Sequence, residues 1–107
     1  MANIIMKDNK EKLQKAVEWL HKCGALLFEV VPVSETFQGK LIWDGLIFVF
    51  DLIGHPQATK AYSWSSPIEG STKRRYYAVL NISPIDSPEK AVRAAIVQEY
   101  KRKNTAH

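Results

Sequence analysis

Aromatic and cationic side chains are interleaved between residues 58 and 82, where two alternating segments flank a polar loop. The first segment places a lysine and two rings on one parity, and the second places an arginine and a tyrosine on one parity. Rings in such an arrangement stack on unpaired bases, each stack being worth ~1–3 kcal/mol, while cations neutralise phosphates. We therefore predict a nucleic-acid-binding surface that consists of Lys60, Tyr62, Trp64, Lys73, Arg74, Arg75, Tyr77 and Arg93.

The same hairpin has a second interpretation, which is ordinary cross-strand packing. Two aromatic residues at a spacing of two, such as Tyr62 and Trp64, are also typical of a strand whose ring-bearing face is turned to the core. In that case the rings are closed to a ligand, and only the cations remain at the surface. The sequence leaves both interpretations open.

Catalytic chemistry has little support in the residue pattern. His21 and Cys23 are two residues apart on a predicted helix, so their side chains point apart and do not form a nucleophile–base pair. His55 stands in a turn four residues after Asp51 and is the remaining candidate base, although a turn histidine is usually structural. The chain contains no G-x-S-x-G, P-loop or G-x-G-x-x-G motif. We expect a protein that is not an enzyme and that uses no metal, cofactor or small-molecule substrate.

Charge is distributed unevenly along the 107 residues, which carry a net charge of +4. Residues 1–53 contain six lysines and seven acids, a net of −1, whereas residues 54–107 contain nine basic and four acidic residues, a net of +5. This asymmetry indicates an anionic partner, with solubility as the alternative explanation. The single cysteine excludes an intramolecular disulfide. The chain has no apolar run of membrane-spanning length, and we expect a cytoplasmic protein without a membrane partner.

Two helices are predicted, one near each end of the chain. The first covers residues 9–23, with Asp8 as its N-cap and Gly24 as the residue that ends it. The second begins after Ser87, a favourable N-cap, with Pro88 at the first helical position. Both show apolar residues at the spacing of one buried stripe.

Strands are predicted between the helices. Residues 25–33 are rich in β-branched and aromatic side chains, and Pro32 favours an edge strand or a strand end there because it cannot donate to a ladder. Gln38-Gly39 is a candidate turn before the segment 40–53. Within that segment Asp44-Gly45 is either a tight hairpin turn or a bulge in one long strand, and we favour the bulge.

These elements predict an α+β fold in the order α-β-β-β-β-α, with a mainly antiparallel sheet packed by the two helices. The chain is expected to be one domain over residues 1–107, with frayed ends at 1–7 and 103–107. Residues 46–53 are apolar on both parities, which is typical of a strand covered on both faces. Because the two helices of one domain are expected to cover one face of this strand, its second face is a candidate homodimer surface.

The leading functional hypothesis is a small non-catalytic protein that contacts single-stranded or structured nucleic acid through the hairpin 58–82. The alternative is a dimeric protein-interaction module, accessory or inhibitory, that binds no nucleic acid. Trp19, which lies off the apolar stripe of its helix, and Trp43 favour the alternative. A contiguous exposed apolar patch bordered by polar residues would discriminate in its favour.

Overall fold

Two helices enclose a four-stranded antiparallel sheet in a computed structural model that describes residues 2–105, and the side chains of residues 9–101. The elements in chain order are α1 (Ala2–His21), β1 (Gly24–Phe37), β2 (Lys40–Ile53), β3 (Lys60–Pro67), β4 (Arg74–Leu80) and α2 (Pro88–Thr105). The strands lie in the order β1-β2-β3-β4, each antiparallel to its neighbour. This arrangement confirms the predicted α-β-β-β-β-α order. No helix among the described residues is long and apolar enough to cross a bilayer.

The first helix is longer at its start and shorter at its end than predicted. Asp8 lies inside α1, so the prediction that it caps the helix is wrong. At the other end Lys22 takes the left-handed conformation, with φ at +53°, and Gly24 already belongs to β1. Gly24 instead allows β1 to lie close to the side chain of Ile53 on β2, because a Cβ at Gly24 would lie 3.2 Å from the Cβ of Ile53. The predicted fraying of the chain ends, residues 1–7 and 103–107, stays a prediction, and residues 1, 106 and 107 lie outside the described residues.

The second helix begins as predicted. The backbone N–H of Lys90 donates to the Ser87 hydroxyl at 3.3 Å, which makes Ser87 the N-cap and Pro88 the first helical residue. Ala91 and Val92 are buried against the sheet, and the small side chain of Ala91 permits a close approach. The peptide bond between Ser83 and Pro84 in the preceding loop is cis.

The two helices cover opposite faces of the central strands. Phe48 and Phe50 pack beneath Leu13 and Val17 of α1, in a cluster with Ala61 of β3. The intervening β2 residues Ile47 and Val49 pack with α2 on the other face. The four central apolar side chains of this strand, residues 47–50, are therefore covered within one chain, because each helix takes one face, whereas Leu46 and Ile53 stay about half exposed. The premise of an uncovered face over the central residues is therefore wrong, and a homodimer through strand 46–53 stays a prediction without that support.

The first hairpin is a long two-stranded arm. Gln38 and Gly39 form its two-residue turn, with φ at +52° and +77°, as a type I′ turn requires. Asp44-Gly45 is neither turn nor bulge, because both residues pair regularly with β1. The register shift lies nearby, where Ile42 has no partner on β1, and it confirms one continuous strand but moves the bulge. Pro32 lies in an edge strand, as predicted.

Candidate functional site

The predicted aromatic platform is part of the core. Tyr62 is 4% exposed and Trp64 is 3% exposed, both in the cluster beneath α2, so packing is the correct interpretation of these two rings. Trp64 stacks on Tyr77 with ring centroids 4.9 Å apart and planes at 10°. Trp43 meets Trp64 edge-on at 6.0 Å and 71°. The rings pack against one another, so the face of Trp64 is not available to stack on a base.

Burial and charge also act on the hydroxyl of Tyr62. Its pKa is raised, first because burial disfavours the phenolate, and then because carboxylates of the α2 start and of β1 repel it. The phenol therefore stays neutral in the core at physiological pH. It contributes packing rather than an ionisable group.

Three of the predicted cations are held by carboxylates inside the fold. The ion pairs join Lys60 to Asp51, Arg75 to Glu99, and Arg93 to Glu35. Lys60 also lies over the ring of Phe28, with its ammonium 3.7 Å from the centroid. Each pair connects two different elements, so these cations are engaged within the protein.

The remaining two predicted cations are exposed near the start of β4. Arg74 donates to the Ser65 hydroxyl at 2.9 Å and to the Ser65 carbonyl at 3.1 Å, and Lys73 makes no ion pair with another described residue. Arg74 lies on the α1 face, whereas Arg75 pairs with Glu99 on the α2 face. The structure therefore divides the predicted set between a core, three ion pairs and one exposed corner.

A gap between the two hairpins is a feature that the sequence did not predict. The β2–β3 ladder has its last pair at Phe48 and Ser63, although β2 continues to Lys40 and β3 to Pro67. The two hairpins diverge from this point. We call the gap between β2 residues 43–47 and β3 residues 64–67 the fork.

Main-chain polar groups point into the fork. The N–H of Leu52 donates to the carbonyl of Thr59 at 2.9 Å, which fixes the alternation of the ladder: even-numbered β2 residues turn their N–H and C=O toward β3. Beyond the last pair, these are Leu46 and Asp44. Odd-numbered β3 residues turn toward β2, and Ser65 is the first beyond the ladder. Its carbonyl is the one that Arg74 occupies.

Grooves open on both faces of the fork. The groove on the α1 face has a volume of about 440 Å³ and is lined by Leu13, Gly45, Leu46, Ser65 and Arg74, among others. The groove on the α2 face has a volume of about 400 Å³ and is lined by Ile42, Trp43, Trp64, Ile96 and Tyr100, among others. Leu46 is half exposed, so the fork is accessible from solvent.

The two elements that border the groove on the α2 face, the first hairpin and α2, carry exposed apolar side chains. Two of them are aromatic, Phe37 at 64% exposure and Tyr100 at 67%. We call this group the distal surface; it consists of Phe37 and Ile42 on the first hairpin and Val97 and Tyr100 on α2. Because Ile42 and Tyr100 line one groove, the hairpin and helix portions are contiguous there.

Gly45 shapes the fork because it has no Cβ. A Cβ at this position would lie 2.9 Å from Cη2 of Trp43 and 3.2 Å from Cζ2. The indole of Trp43 therefore rests on the bare backbone of Gly45, two residues along the same strand. Sequence reasoning attributed the glycine to a turn or bulge, whereas its requirement here is space.

The histidines and the cysteine have structural environments. His55 Nδ1 accepts the backbone N–H groups of Gln57 and Ala58, at 3.1 and 3.0 Å, so its lone pair holds the turn together. His21 Nε2 donates to the carbonyl of Ala78 at 2.8 Å. Burial raises the pKa of the Cys23 thiol, and a nearby carboxylate raises it further, so the thiolate is disfavoured. The part of the chain with described side chains contains no group of three His, Cys, Asp or Glu residues suited to a metal ion.

Comparisons with protein-family models, with curated proteins and with solved structures find no match to this chain. Function must therefore be argued from geometry. The geometry offers three features: the distal surface, the fork, and the exposed corner at Lys73 and Arg74. The first two adjoin each other through the ring of Trp43, which lines the grooves on both faces of the fork.

Proposed function

We propose that this protein is a non-catalytic protein-interaction module that binds its partner at the distal surface and the adjoining fork. The observation that carries the proposal is the set of exposed apolar side chains that continues from the first hairpin to α2 across one groove. Contiguous apolar patches of this kind are a mark of interaction sites, and aromatic residues are enriched in their centres.

Charge at the margin of the distal surface indicates the kind of partner. Lys40 is exposed and pairs with Phe37 across the turn, at the hairpin end of the surface. Complementarity favours a partner whose apolar contact residues are flanked by carboxylates, since such charges steer association and fix orientation. The partner is then an acidic, apolar protein segment.

The test uses peptides selected on the protein from a displayed random library and then synthesised with a fluorescent label. The double variant Ile42→Ser/Tyr100→Ser removes the two side chains that line the groove from opposite sides. We expect it to weaken peptide binding by about tenfold or more, corresponding to about 1.4 kcal/mol. Fluorescence anisotropy gives the affinity, and circular dichroism verifies the fold.

Trp19→Ser is the matched control, because Trp19 is a larger apolar residue at 78% exposure on α1, outside the distal surface. It should leave the affinity unchanged. Equal weakening by the control and the double variant would contradict a localised site. Failure to select any binding peptide would count against the proposal as a whole.

Nucleic-acid binding is the second candidate, and one observation favours it: Lys73 and Arg74 are exposed and make no ion pair with another described residue. On this hypothesis the double variant Lys73→Ala/Arg74→Ala weakens binding to labelled single-stranded and duplex oligonucleotides and flattens the salt dependence. Lys10→Ala/Lys15→Ala is the charge-matched control on α1. Absence of binding at low salt would remove this candidate and leave the first.

A further inference from the structure

We propose that the partner segment at the fork is an extended peptide that adds to the inner edge of β2 as a further strand. This inference rests on the proposed function. It specifies the backbone conformation of the partner at the fork as well as the partner's chemistry. The observation behind it is the direction of the main-chain groups. Leu46 and Asp44 turn N–H and C=O into the fork beyond the last pair of the β2–β3 ladder.

An added strand gives those groups the pairing that the β2–β3 ladder, which ends at Phe48 and Ser63, does not give them. An extended peptide offers its own N–H and C=O groups at the same repeat, so main-chain hydrogen bonds contribute affinity whatever the side chains are. The ladder at Phe48 and Ser63 shows that β2 already pairs correctly on this side for its inner half. A bound peptide continues that pairing toward the tip of the hairpin.

At the outer edges of the sheet, side chains or a proline block the addition of a further strand, in contrast to the fork. On β1, Gln14 donates to the Ala25 carbonyl at 2.6 Å and Glu18 accepts its N–H at 3.3 Å, while Pro32 interrupts the edge farther along. On β4, His21 occupies the carbonyl of Ala78. Such devices prevent unwanted pairing at exposed edges. Among the described strands, the stretch of β2 at the fork has no comparable blocking side chain or proline at Leu46.

The walls of the fork indicate the side chains of the peptide. Alternate residues of an added strand point to opposite faces of the sheet. One parity enters the groove on the α1 face beside Leu13 and Leu46, and the other approaches Trp43 on the α2 face. Apolar residues therefore suit both parities. Arg74, which also lines the groove on the α1 face, favours a carboxylate where the peptide passes β3.

The experiment uses the library-selected, synthesised peptides in two N-methylated forms. Each form carries methyl groups on alternate amides, of one parity or the other, so that one form loses the donors that face β2. We expect that form to bind about tenfold more weakly or worse, and the other to bind as the parent does. Unchanged affinity for both forms would overturn strand addition while leaving the protein-interaction proposal intact.

A pair of protein variants gives an independent result. Leu46→Pro removes an N–H that faces the fork and none that faces β1, whereas Leu46→Ala keeps the N–H and shortens the side chain. We expect the proline variant to lose the peptide and the alanine variant to retain most of the affinity. Where the proline variant does not fold, hydrogen exchange on the unsubstituted protein decides, because peptide binding must protect the amide of Leu46. An unprotected Leu46 amide in the complex overturns the inference.

Discussion

Adding one methyl group at Gly45 should destabilise the protein, and the reason is specific to one indole ring. The Cβ of Gly45→Ala would lie 2.9 Å from Cη2 of Trp43, closer than real Cβ contacts allow. Ordinary contacts of this kind lie between 3.4 and 4 Å, so the ring must move by about half an ångström or more. The ring cannot move far without changing its edge-on contact with Trp64, at 6.0 Å between centroids.

The magnitude follows from three contributions. Overpacking of this kind costs ~1–3 kcal/mol, and loss of the ring contact costs a further ~0.5–1.5 kcal/mol where the ring is displaced completely. Against these, alanine in a strand is favoured over glycine by ~0.5–1 kcal/mol. The net effect of Gly45→Ala is therefore a loss of about 1–2 kcal/mol in the free energy of unfolding. In a Trp43→Ala background the clash is absent, and the same substitution should stabilise by ~0.5–1 kcal/mol.

The assay is urea unfolding of four proteins, the unsubstituted chain, each single variant and the double variant, followed by far-ultraviolet circular dichroism. Indole fluorescence is unsuitable because one variant removes a fluorophore. The double-mutant cycle should give a coupling of about 2 kcal/mol between residues 43 and 45. Equal effects of Gly45→Ala in both backgrounds would refute the placement of the Trp43 ring on this glycine.

Three further predictions concern loops and charges. Asn81→Ala removes a carboxamide that accepts two backbone N–H groups at the start of β3, each at 3.0 Å, and should lower the free energy of unfolding by ~1–3 kcal/mol in urea titrations; an effect below the error of the titration would contradict this role. Gln38→Asn should stabilise by a few tenths to about 1 kcal/mol, because asparagine tolerates the positive φ of a type I′ turn before Gly39, and an unchanged thermal midpoint would argue otherwise. Lys90→Gln should raise the pKa of Asp86, which hydrogen bonding and attraction to Lys90 hold below its usual value, as measured by carboxyl NMR titration. Because the pKa of Asp86 is lower in the folded than in the unfolded protein, the pair stabilises the protein above the unfolded pKa, and this stabilisation is lost as the pH falls through the folded pKa. The variant should not show that pH-dependent loss of stability.

The sequence predicted well those features that depend on neighbours in the chain. The second helix begins where Ser87 and Pro88 satisfy its first turn, and the Gln38-Gly39 turn follows from the conformations that those residues tolerate. Alternation along residues 59–65 predicted a strand, and Pro32 predicted an edge strand or a strand end, of which the edge strand is correct. Each of these inferences rests on a period or on a local backbone preference.

Features that depend on contacts between elements were not predictable in the same way. Alternation showed that Tyr62 and Trp64 share a face, but which helix covers that face is decided by the whole fold. The divergence of the hairpins at Phe48 is likewise invisible to a period of two, since β2 keeps alternating past it. Gly45 has no local signal that separates a turn from a place where a ring needs room.

The ion pairs explain why the charge asymmetry of the sequence was a weak guide to a partner. Lys60 reaches back to Asp51 on β2, and Arg93 reaches back to Glu35 on β1, so positive charge from the second half of the chain neutralises acids of the first half. Glu35 is only 8% exposed, and a carboxylate so placed requires a cation beside it. These arginine and lysine side chains connect α2 and β3 to the first hairpin. What the fold leaves exposed is of another kind, namely apolar area on the distal surface and main-chain groups at the fork, and our proposal of a polypeptide partner rests on these two features.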